Sequence, residues 1–155
     1  MKHSIRKIAI ALLAVMIFSA LAGYAYAANV SSTTFQGFTV TSQGGSYSAA
    51  ANAREKTNSS AMVILIDTSS VGSIHNVRAM GSYGTLVNAE NCTKYNNAPA
   101  DHVVCGEGTY YGIKNTIREH GYTYAFPSIM HNAYGTASGK WAPDSSQSYG
   151  TPDAP

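Results

Sequence analysis

The sequence has 155 residues, with ten Lys and Arg against eight Asp and Glu, a formal net charge of +2 and only 12% charged residues. Three of the cations, Lys2, Arg6 and Lys7, and none of the acids lie in the first 27 residues, so the rest of the chain carries seven cations against eight acids. Near-neutrality without a basic cluster excludes the electrostatic footprint of nucleic-acid binding and gives little attraction to anionic membranes.

The positive start, the apolar run at residues 8–21 and the small-residue site Ala25-Tyr26-Ala27 read as a cleaved secretory signal peptide at residues 1–27. The apolar core is shorter than the ~20 residues a spanning helix needs, so the mature chain is expected to be secreted and extracellular, without stable membrane insertion. Residues 28–34 read as a flexible N-terminus, 35–145 as one β-rich globular domain, and 146–155 as a disordered tail.

Residues 38–41 alternate up to Gly44-Gly45, and Tyr47, Ala49, Ala51 and Ala53 share one face, which predicts a first hairpin. After the turn residues Thr57-Asn58-Ser59-Ser60, the six apolar residues 61–66 are too few for a typical buried helix. They predict a central strand covered on both faces. Weaker extended segments follow at 74–80 and 85–89. Residues 109–120 have two readings: Tyr110, Ile113 and Ile117 would line a helix, whereas Tyr111, Ile113 and Ile117 share a strand face. Gly112 and Thr116, both poor helix formers, favour the strand.

Tyr122, Tyr124 and Phe126 then alternate with Thr123 and Ala125 in a strand that Pro127 ends or confines to an edge, and a last extended piece spans 129–134. Beyond Ser138 the Ser, Pro, Gly and Asp content reads as weakly ordered apart from Trp141, which is expected to anchor the core. These elements predict an all-β fold, a small antiparallel β-sandwich or partly open barrel.

An even cysteine count in an exported chain predicts a disulfide between Cys92 and Cys105; a thiol nucleophile and a metal site using both with His102 are the rival readings. His75, His102, His120 and His131 form no HxH, HxxxH or HExxH spacing, so no metal site and no cofactor are assigned. Asp67, Asp101, Glu107 and Glu119 would reach a histidine only through folding, and there is no Gly-x-Ser-x-Gly elbow. Gly106-Glu107-Gly108 lacks the Lys and Ser/Thr of a phosphate loop and reads as a turn. No catalytic residue is assigned and the protein is expected not to be an enzyme. Tyr110, Tyr111, Tyr122, Tyr124 and Tyr134 form the candidate contact surface, tyrosine combining an apolar ring with a hydroxyl.

The stretch Gly139-Lys140-Trp141-Ala142-Pro143-Asp144-Ser145 resembles the ending of small exported Gram-positive proteins of unknown function, in which Gly-x-Trp-Ser-Pro-Asp-Ser closes a short all-β domain. Ala142 stands here in place of the usual Ser. Ala53-Arg54 and Glu119-His120-Gly121-Tyr122 are looser matches. The ending is more distantly similar to those of bacteriocin-like secreted proteins. This resemblance implies export and a β-fold and carries no activity. The resulting expectation is a secreted, non-enzymatic β-domain that recognises an unknown protein or cell-envelope ligand. A bacteriocin-like competition factor and a secreted hydrolase are the alternatives.

Overall fold

A computed structural model of the protein describes residues 30–40, 47–48, 53–84, 88–146 and 148–154. The leader, the Gly44-Gly45 turn and part of the 85–89 segment lie outside these residues. In chain order the strands are β1 (Thr33–Val40), β2 (Tyr47–Ser48), β3 (Arg54–Glu55), β4 (Met62–Ser69), β5 (Ile74–Ser82), β6 (Glu90–Asn91), β7 (Lys94–Tyr95), β8 (Ala98–Pro99), β9 (Val103–Cys105), β10 (Tyr110–Ile113), β11 (Tyr124–Met130) and β12 (Gly135–Ala142).

One sheet has the order β1-β12-β4-β10; the other runs β2-β11-β5-β6, with β3 added to β11 and β9 to β5, and β7 and β8 form a separate ribbon. Pairing between these strands is antiparallel throughout. The two sheets pack together as a sandwich and do not close into a barrel, which selects the first of the two architectures that the sequence allows.

The apolar run at 61–66 becomes β4, an interior strand between β12 and β10. Its alternate residues Met62, Ile64 and Ile66 are fully buried among Ile74, Val77, Ala125 and Ile129 of the other sheet. Val63 and Leu65, on the opposite face, are buried too. Trp141 lies directly across from Ile64, so its ring shares that strand's inward face. It is 1% exposed and belongs to the core, although its indole N–H finds no acceptor among the described residues.

Several local expectations change in the structure. The two segments assigned to a first hairpin belong to different sheets: β1 pairs with β12, and β2 with β11. Strand β11 runs through Pro127 instead of ending there. Its partners on one side, β3 and β2, stop at Ala125 and resume at Ser128, so the proline has no register partner on that side among the described residues. A missing N–H is tolerated at such a gap.

Residues 109–120 follow the strand reading over β10, with Tyr111 and Ile113 turned toward the core and Tyr110 to the opposite face, so the helical stripe of Tyr110, Ile113 and Ile117 is not used. β10 supplies the strand, and then one helical turn forms, with His120 N–H donating to Thr116 O (2.9 Å), Gly121 N–H to Arg118 O (3.0 Å) and Tyr122 N–H to Ile117 O (3.0 Å). The last two bonds make a Schellman closure, and Gly121, at φ +82°, is the left-handed residue that this closure requires.

The segment beyond Ser138 is built into the sandwich. β12 extends to Ala142 between β1 and β4, its inward positions being Gly135, Ala137, Gly139 and Trp141. Farther on, Gly150 exchanges bonds with β10 (Gly112 N–H to Gly150 O, 2.9 Å; Gly150 N–H to Tyr110 O, 3.2 Å). Asp153 does the same with Val104 on β9 (3.0 and 3.2 Å). Residues whose composition reads as tail therefore strap one sheet's edge to the other, through backbone groups and with little apolar burial.

Candidate functional site

A groove lies on the outer face of the four-stranded sheet. Tyr110 and Lys140 are both opposite Leu65, and Ala142 is opposite Val63, so all five side chains share that face. Val30 and Ser32 on one side and Tyr149 on the other complete a hollow of about 310 Å³. The Tyr110 and Tyr149 rings sit 5.9 Å apart at 43°. A neighbouring hollow of about 320 Å³ shares Tyr149 and contains Ser60, Ser145 and Lys114. Two shallow polar–aromatic hollows thus meet at one tyrosine, each with a lysine.

The Arg54 guanidinium holds the N-terminal wall: Nη1 donates to Ser31 O and to Thr33 Oγ1 (3.2 Å), and Nη2 to Ser31 Oγ (2.7 Å). Two residues on, Lys56 is fully buried, its Nζ donating to Ser60 O (2.7 Å), Pro143 O (2.7 Å) and Asp144 Oδ1 (2.9 Å). Asp144 Oδ2 accepts from Thr57 N–H (2.9 Å) and Thr57 Oγ1 (2.7 Å), and Ser145 N–H donates to Ser60 Oγ (2.9 Å). Burial draws the Lys56 ammonium below its usual pKa, although Asp144 opposes the shift. Segment 53–60 thereby joins Ser31 and Thr33 to the Trp-Ala-Pro-Asp-Ser ending.

A second polar cluster sits at the end of the six-stranded sheet. On β6, Glu90 lies opposite Gly81, and Cys92, two residues later, projects to the same side. The Schellman turn brings His120 and Tyr122 against them. His120 Nδ1 is 3.2 Å from Glu90 Oε1, and the Tyr122 hydroxyl donates to Glu90 Oε2 at 2.6 Å. Gly81 makes room: a Cβ there would lie 2.8 Å from Tyr122 Cδ2 and 3.1 Å from Cys92 Sγ. The Tyr122 bond, with a lesser contribution from His120, lowers the Glu90 pKa, and the same bond pushes Tyr122 up to about 12. Burial, then the Glu90 charge, raises Cys92 to about 11, which leaves its thiol protonated and unsuited to act as a nucleophile at neutral pH.

A protein-family model matches residues 23–145, four-fifths of the sequence. The chain belongs to the DUF2712 family of proteins of unknown function. No curated protein and no solved structure matches it.

The cysteines of this DUF2712 domain correct the sequence expectation, because both are buried and free and no Cys92–Cys105 disulfide forms. Both flank the edge of β5 that β11 leaves open, but Cys92 N–H bonds to Ala79 O whereas Cys105 lies opposite Ile74. Five residues of strand separate these positions, about 16 Å at ~3.3 Å per residue. A disulfide joins Cα atoms roughly 4.4–6.8 Å apart. His102 pairs with Asp101 (3.1 Å) and does not join the two thiols, while Arg78 Nη2 donates to the same carboxylate (2.7 Å).

The five tyrosines do not share one face of the DUF2712 domain. Tyr110 is 43% exposed in the groove, and its neighbour Tyr111 turns inward against the core. Tyr122 is buried beside Glu90, with its ring centroid 4.7 Å from that of Tyr83. Tyr124 is half-buried on β11, and Tyr134, 74% exposed, lies between β11 and β12. Sequence reasoning missed Tyr149 and Lys140 because they belong to segments read as unordered. It missed Glu90–Cys92–His120 because the only local signals are one alternate pair, Glu90-x-Cys92, and a Gly-closed turn after His120.

Proposed function

We propose that this DUF2712 protein is an exported, non-enzymatic recognition domain whose ligand is an extended anionic glycan or glycopolymer of the cell envelope. The observation that carries this reading is the pair of hollows meeting at Tyr149, with Lys140 in one and Lys114 in the other. Tyrosine rings offer flat apolar faces on which sugar rings stack while the hydroxyls remain available for hydrogen bonding. Two lysines on either side of an aromatic ridge suit a polymer with repeating carboxylate or phosphate groups better than one compact anion. A hollow of about 310 Å³ is at the small end for enclosed small-molecule sites and matches a ligand that passes through without being engulfed. Export, supported by the leader pattern, places such polymers within reach.

The test is sedimentation of the purified chain with isolated Gram-positive cell walls. Binding is expected to weaken with salt, as exposed charge pairs do, and to drop several-fold in a Lys114→Ala/Lys140→Ala variant that leaves the core untouched. Absence of wall binding, or equal binding by the variant, would reject the reading.

A further inference from the structure

We propose that Glu90, Cys92 and His120 form a binding site for a zinc-like divalent transition-metal cation, with one coordination position open to solvent. The carboxylate oxygen, the thiol sulfur and the imidazole nitrogen lie within 4.8 Å of one another, contributed by β6, the residue that follows it and the Schellman turn. Sulfur, nitrogen and oxygen donors together match zinc's ligand preferences, and three protein ligands plus one free position is the pattern of an open zinc site.

Tetrahedral bonds of about 2.0–2.3 Å set neighbouring donors roughly 3.3–3.8 Å apart. Closing from the present spacing requires small side-chain adjustments by Glu90 and His120, which are both exposed, around the buried Cys92. Two features hold the arrangement in place. The Tyr122 hydroxyl fixes Glu90 through Oε2, the kind of outer hydrogen bond that orients a metal-binding carboxylate, and leaves Oε1 toward His120. Thr116 N–H donates to Cys92 O at 2.9 Å, so the loop bearing the thiol and the turn bearing the imidazole are tied together. On binding, the cation replaces the thiol proton, which leaves to solvent, and the sulfur binds as thiolate. The site lies on the other sheet from the tyrosine groove and does not depend on the function proposed for it.

Cobalt(II) titration of the purified, reduced full chain tests the proposal. The expected result is one-to-one binding with a thiolate-to-cobalt charge-transfer band in the near ultraviolet, displaced by zinc. Cys92→Ser should abolish the band and Cys105→Ser should retain it. His120→Ala, an exposed change outside the core, should weaken affinity at least tenfold, and Tyr122→Phe about tenfold through lost orientation of Glu90. No charge-transfer band in the folded chain, a band that survives Cys92→Ser, or affinity unchanged by His120→Ala would overturn it.

Discussion

Lys56 and Asp144, 88 positions apart in sequence, form an ion pair with no exposure of either side chain. Each charge has further hydrogen-bond partners in Ser60, Pro143 and Thr57. The pair fixes the end of β12 to the turn that precedes β4, the two strands that also pair with each other in the sheet. Asp144 and Pro143 together receive the buried cation.

Removing one partner leaves an uncompensated buried charge, so Lys56→Met and Asp144→Ala should each destabilise the fold by about 3–5 kcal/mol. The double variant should cost clearly less than the two combined, because the interaction is lost once. Denaturant unfolding of all four proteins measures this coupling, and simple additivity would show that the pair contributes nothing as a pair.

Trp141→Ala should cost about 3–5 kcal/mol, as for other large aromatic truncations in a packed core. The comparison is the denaturant midpoint with an unchanged slope. Near-wild-type stability would mean that the ring is not part of the core that the register with Ile64 places it in.

Unfolding the protein without reductant should expose two free thiols, both labelled by an alkylating reagent and read by mass. In the folded protein labelling should be slow, since Cys92 and Cys105 are 2% and 0% exposed and burial pushes Cys105 up to about 12. A chain that accepts label only after reduction would contradict the free pair.

Much of the sandwich was legible in the sequence because its most buried strands carry strong patterns. Residues 61–66 are uniformly apolar as β4 is covered on both faces, and the alternating stretch marks the start of β11 at Tyr124, although that strand runs on through Pro127 and is buried without alternation from Ala125 to Ile129. The rest was hidden for physical reasons. β12 turns Gly135, Ala137 and Gly139 inward, so its pattern is one of size, with little of hydrophobicity in it. Lys56 reads as a surface residue until Asp144 is brought to it. The 150–153 strap acts through backbone bonds, which leave no trace in side-chain composition. The cysteine pairing failed because an even count says nothing of where two short strands dock along a third.

Acid should remove a small, separable part of the stability through Asp101. Its carboxyl is held below the ordinary value of 3.8 by the hydrogen bond to His102 first, and then by Arg78. A carboxyl whose pKa falls on folding stabilises fully above its unfolded value, and that contribution disappears as pH drops through the lower folded value. Asp101→Asn should therefore show a flatter decline than wild type when urea midpoints above and well below pH 3.8 are compared. Parallel declines would show that the carboxylate is not linked to folding.

The most direct test of the recognition surface is amide NMR of the purified chain during titration with anionic wall-polymer fragments, whose integrity is followed in the same sample. Shifts should concentrate at Val63, Tyr110, Lys114, Lys140 and Tyr149, and the fragments should remain intact. Shifts located elsewhere, no shifts at saturating fragment, or cleavage of the fragments would contradict a non-enzymatic glycan-binding groove on this sheet.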